Sequence, residues 1–224
     1  MSQTDLSTTP SPTSGTAAAA ALGATLRRVA WLSIVLGLTI EAILLLLATG
    51  FGGIPGISKI VAELVQKISW SMIVCVGLAF GKTASRGQPA WTGLSGLLSA
   101  PIAFSVAGTL HKSASYALKL AGAGPTGAFP FLVTGLKGLE YGALGWLLTW
   151  VGRRTQVGAA SYAGVGFGVG LVFGLAIVYS SGAQTLAMPT VLYQCVNEVL
   201  FPIGCSLALF AADALGKSKA QGNA

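Results

Sequence analysis

AWLSIVLGLTIEAILLLLATGFGGIPGISKIVAELVQKISWSMIVCVGLAFGK, residues Ala30–Lys82, decides the fold. Two apolar runs flank the turn Gly50-Phe51-Gly52-Gly53-Ile54-Pro55-Gly56. Each run reaches or approaches the ~20 residues that a helix needs to cross a ~30 Å hydrocarbon layer. The stretch therefore reads as a membrane hairpin.

Two further stretches follow the same plan. One opens at Ala90-Trp91, turns near Gly124-Pro125-Thr126-Gly127 and stops at Gly152-Arg153-Arg154. The other opens at Ser161-Tyr162, turns near Met188-Pro189-Thr190 and stops at Gly216-Lys217. From turn proline to terminal glycine the three copies span 26, 27 and 27 positions. This spacing predicts an internal threefold repeat. The middle copy is longer before its turn, which predicts a local insertion over His111–Ala121. Lys112, Tyr116 and Lys119 share a helical face there, as in a short helix lying at the headgroups or an irregular loop.

Composition agrees with a membrane. Soluble domains carry about 25% charged residues; this chain of 224 residues carries 8% and is 53% hydrophobic. The expected fold is an all-α integral membrane protein with six transmembrane helices, arranged as three sequential hairpins over 29–82, 89–154 and 158–217. The spans fall near 29–50, 58–81, 90–110, 128–151, 159–181 and 190–215. Residues 1–26, rich in Thr, Ser, Pro and Ala with one charge at Asp5, are expected to be a disordered N-terminal tail, and 218–224 a short C-terminal one. Positive charge arrives only at Arg27-Arg28, after that tail, which is not the layout of a signal peptide.

Arg27, Arg28, Lys82, Arg86, Arg153, Arg154, Lys217 and Lys219 fall at one set of span ends; Lys59, His111, Lys112 and Lys119 fall at the other. Cytoplasmic loops carry the Lys/Arg excess, so both termini are expected in the cytoplasm and the proline turns outside, in a multi-pass protein of a cell inner membrane. The net charge of +7 follows these loops and forms no patch, so the expected partner is the lipid bilayer, not nucleic acid. Homo-oligomerisation and membership of a larger membrane complex both stay open.

Charged groups inside spans are costly in lipid and must face a partner or a wet cavity. The candidates for a substrate or ion path are Glu41, Glu63, Lys67, Lys137, Glu140 and Glu198, with Gln66 and Asn197 beside them. Glu63 and Lys67 are four apart and Lys137 and Glu140 three apart, the spacings at which side chains meet on a helix. Lys67 and Lys137 lie equally far from their turn prolines, and Glu63 and Glu198 equally far from their terminal glycines. If the hairpins pack around one axis, these groups converge in a polar vestibule. Otherwise the lysines snorkel to the headgroups and the carboxylates neutralise them. Glu41 lies about 15 Å along its helix from Trp31, where a lone glutamate is a proton site, an ion ligand or half of a buried pair. Asp213 is expected to pair with Lys217 near the membrane surface.

Gly166, Gly170 and Gly174, and likewise Gly138 and Gly142, recur at four-residue spacing and form smooth grooves for close helix contact, within the chain or with another subunit. Cys75, Cys195 and Cys205 lie in apolar runs and read as small hydrophobes. Tyr116, Tyr141, Tyr162, Trp31 and Trp91 read as interfacial aromatic belts. No nucleophile elbow, metal-ligand spacing or cysteine–histidine pairing is present, so no catalytic residue, metal or cofactor is named. Three two-helix repeats resemble the mitochondrial carrier architecture, but that family's signature of proline, acid and base on the odd helices is absent. The expected function is translocation of a small solute or ion through an extracytoplasmic vestibule, with a non-catalytic subunit of a larger membrane complex as the alternative.

Overall fold

Where no water is present, backbone N–H and C=O groups must find partners within the chain, and a helix supplies them all within one segment. The apolar runs do so throughout. The computed structural model describes residues 14–51, 53, 55–85, 87–120, 130–154, 157–180, 182 and 187–221. Their regular structure is six α-helices: α1 Ser14–Gly50, α2 Ile57–Ala84, α3 Pro89–Ala117, α4 Pro130–Val151, α5 Ala159–Ser180 and α6 Met188–Gln221. No strand occurs among the described residues. Five helices (α1, α2, α3, α5 and α6) are long and apolar enough to cross a membrane. Helix α4 has the same 22 residues as α5 but is less apolar, because Lys137 and Glu140 lie within it.

Two boundaries differ from expectation. Helix α1 begins at Ser14, inside the stretch assigned to a disordered tail; its Ala-rich start is the best helix-forming sequence there is. At 37 residues, α1 is about 55 Å long and exceeds the hydrocarbon thickness. Residues 1–13 lie outside the described residues. The insertion is neither a separate surface helix nor an irregular loop. His111–Ala117 continues α3, and the helix stops where Lys119 takes a positive φ of 54°. His111 Nδ1 lies 3.1 Å from the Ala62 carbonyl, tying the end of α3 to the start of α2. The remainder of the insertion, Ala121, and the turn at Gly124–Gly127 lie outside the described residues.

Each helix packs against its neighbours in sequence, and α6 closes against α1. The result is a ring in chain order. Contacts across the ring join only α2, α4 and α6, so the even-numbered helices face the common axis. The polarity is inverted relative to a protein in water. Leu46, Phe80, Trp91, Leu98, Phe131 and Val172 are exposed on the outside, while Glu41, Lys67, Lys137 and Glu140 are buried.

Small residues let the helices approach this closely. A Cβ on Gly166 would meet Ile203 Cα and the Pro202 carbonyl at 2.6 Å, and one on Gly174 would meet Glu198 Cβ at 2.8 Å. Gly170 faces Val199, and Gly138 and Gly142 face Leu97 and Gly93 of α3. These grooves are filled within the chain. A tight seam predicts asymmetric tolerance along α5, where Gly164 meets nothing within 4 Å. Gly166→Leu should lower stability by about 1–3 kcal/mol or more through overpacking, whereas Gly164→Leu should leave the midpoint of thermal unfolding in detergent unchanged.

Candidate functional site

The helical spacings bring the two local pairs together as expected. Lys67 Nζ lies 2.8 Å from Glu63 Oε2, and Lys137 Nζ lies 2.9 Å from Glu140 Oε2. Helix packing adds a second carboxylate to each lysine. Glu41 of α1 reaches Lys67 with Oε2 at 2.6 Å, and Glu198 of α6 pairs with Lys137. Lys67 also donates to the Tyr193 hydroxyl at 3.3 Å. The site is thus two Glu–Lys–Glu triads, one joining α1, α2 and α6, the other joining α4 and α6.

Neither lysine snorkels. Lys67 and Lys137 are 5% and 7% exposed, and their ammoniums point inward. Lys137 Nζ lies 5.5 Å from the Trp70 ring centroid and 5.8 Å from that of Tyr141; Lys67 Nζ lies 5.8 Å from that of Tyr193. Rings over an ammonium supply attraction without adding charge. Trp70 Nε1–H donates to the Tyr141 hydroxyl at 3.4 Å, so a tyrosine expected in an interfacial belt is instead fully buried at the site. Tyr162 is also buried, packed on Phe210. Trp31, Trp91 and Tyr116 are exposed.

Between α2, α4 and α6 lies a cavity of about 160 Å³. Its polar wall is Glu63, Gln66, Lys67, Lys137, Asn197 and Glu198; its aromatic wall is Trp70, Phe104, Tyr193 and Phe201. Six of the eight residues named from sequence meet there. The other two stand behind the wall: Glu140 holds Lys137 from within α4, and Glu41 opens into a second cavity of about 530 Å³ between α1, α2 and α6. Glu63 and Tyr193 line both cavities, so the Lys67 triad is the partition between them. Glu41 Oε2, Glu140 Oε1 and Asn197 Oδ1 are buried with no hydrogen-bond partner among the described residues, Glu41 meeting Lys67 as an ion pair only.

Sequence reasoning missed the aromatic wall. Trp70 carried a signal: it lies mid-span, three residues past Lys67 and so on the same helical face, away from any belt. Tyr193 and Phe201 carried the same signal, four residues before and four after Asn197 on one face of α6; Phe104 carried none, since its rotation toward the axis is set by packing.

At the other end of the bundle Asp213 pairs with Lys82 of α2; the side chain of Lys217, its expected partner, lies outside the described residues. Helix α6 packs against α2, and a residue's own helix is only one of the surfaces around it. Arg28 donates to the Ala212 carbonyl at 3.3 Å, joining α1 to the same corner. Cys75 and Cys205 are buried with sulfurs 3.0 Å apart, as free thiols.

An all-helical ring with apolar outer faces and a charged interior defines a multi-pass membrane protein. Against known proteins, no family model, no curated protein and no solved structure matches this chain.

Removing one member of a buried ionic group leaves the others uncompensated, at a cost of about 3–5 kcal/mol. Lys137→Met should therefore destabilise the protein by that order, measured by denaturant unfolding in micelles. The triple variant Lys137→Met, Glu140→Gln, Glu198→Gln, which removes the whole triad, should recover much of the loss.

Proposed function

We propose that this protein translocates a small solute or ion across a membrane, with the cavity between α2, α4 and α6 as its polar vestibule. One observation carries the reading: two Glu–Lys–Glu triads, from four different helices, gather around an interior cavity. A purely structural network would match its charges and satisfy its acceptors. This one has two more carboxyl groups than ammoniums and leaves Glu140 Oε1 and Asn197 Oδ1 without donors. Ionisable residues inside membranes mark substrate and ion pathways. The two cavities that share Glu63 and Tyr193 provide a route with the Lys67 triad as its constriction.

In this reading all six helices cross the bilayer as three hairpins of a pseudo-threefold repeat. Both termini are cytoplasmic, the vestibule opens to the extracytoplasmic side, and a bacterial inner membrane suits the chain. The grooves of Gly166, Gly170 and Gly174 and of Gly138 and Gly142 are filled by α6 and α3 of the same chain, which supports a role for them in internal packing; the alternative reading is a non-catalytic subunit of a larger membrane complex.

The test is electrometry on proteoliposomes containing the full chain, with jumps of ammonium chloride, glycine and sodium acetate. A substrate-driven current absent from empty liposomes, and reduced at least tenfold by Glu63→Gln, is expected. No current above empty liposomes for any of the three would overturn the reading.

A further inference from the structure

We propose that the cavity between α2, α4 and α6 binds a small primary alkylammonium ion. The inference rests on the translocation reading, whose substrate class it names.

Charge comes first. Glu41, Glu63, Glu140 and Glu198 surround only Lys67 and Lys137. Lys67 donates to Glu63 and Tyr193 and pairs with Glu41, and Lys137 bridges two carboxylates. An anion entering the cavity would meet lysines already outnumbered by their own partners. A cation would meet the two wall carboxylates, Glu63 and Glu198, with Glu41 and Glu140 behind them on the same lysines.

Hydrogen bonding then selects the kind of cation. The unmet groups are acceptors. Asn197 Oδ1, in the cavity wall, has no donor among the described residues, and behind the wall Glu140 Oε1, on Lys137's other partner, has none either. A primary ammonium brings three N–H donors to such a site; a quaternary ammonium brings none.

The aromatic wall selects an organic cation over a bare metal ion. Ring faces attract ammonium groups, and the protein's own lysines already lie over Trp70 and Tyr193 at 5.5 and 5.8 Å. Phe104 and Phe201 line the same cavity and face no protein cation among the described residues. A volume of about 160 Å³ sets the size. A dry cavity of about 150 Å³ admits benzene, so about six heavy atoms fit, and butylammonium falls within that limit.

Isothermal titration calorimetry on the full chain in detergent tests this with butylammonium, tetramethylammonium and sodium chlorides and with sodium acetate. Butylammonium should bind at least tenfold more tightly than tetramethylammonium, and sodium chloride and acetate should give no saturable heat. Glu198→Gln should weaken butylammonium about tenfold. Phe104→Leu, which leaves every ion pair in place, should weaken it several-fold and serves where Glu198→Gln does not fold. No saturable butylammonium heat, equal binding of tetramethylammonium or acetate, or wild-type affinity in folded Phe104→Leu would overturn the proposal. Current with glycine or acetate in the liposome assay, without butylammonium binding, would overturn this inference alone. Butylammonium binding without any current would overturn translocation and leave the ligand class standing.

Discussion

Two ammonium groups held away from water inside an apolar bundle set the terms for the rest of the structure. Desolvating an ion is costly, and the cost is offset only by close, well-oriented counter-charges and hydrogen bonds. Each lysine meets that condition with one carboxylate from its own helix and one from another. The intrahelical partner comes from the pitch of the helix. The second requires α1 and α6 to be rotated so that Glu41 and Glu198 point inward. The triads therefore constrain how four of the six helices face the axis, and the ring that closes α6 onto α1 is the arrangement in which they all do.

Close approach of the backbones makes that rotation tight. Gly166, Gly170 and Gly174 let α5 lie against the stretch of α6 that carries Glu198 and Pro202. With apolar lipid outside, helix association depends on van der Waals contact and interhelical polar bonds rather than on exclusion of water. Smooth seams supply the first; Ser71 Oγ donating to the Ser33 carbonyl at 2.7 Å supplies an instance of the second. The proline in α6 packs on the α5 seam.

The aromatic residues divide by the same logic. Trp31, Trp91 and Tyr116 sit on the outside, where an amphipathic ring suits the interface. Trp70 and Tyr141 lie inside, bonded to one another and over Lys137. A buried tyrosine or tryptophan needs a partner for its polar end, and these two supply each other. Trp70 and Tyr141 lie mid-span, whereas Tyr162 is buried near the start of α5, so the face of the helix counts as well as the distance from its end.

The sequence by itself determined the all-helical character, the solvent and the pairs 63–67 and 137–140, because hydropathy and helical pitch are local properties. It also placed the buried charges at matching distances from their turns, so their meeting on a common axis was foreseeable. Only the tertiary structure decided that α2, α4 and α6 face that axis, that Glu41 and Glu198 complete the triads, that Lys82 pairs with Asp213, and that Trp70, Phe104, Tyr193 and Phe201 wall the cavity. The physical reason is rotation. A sequence tells which residues share a helix face, whereas which face turns inward is set jointly by the neighbours it packs against.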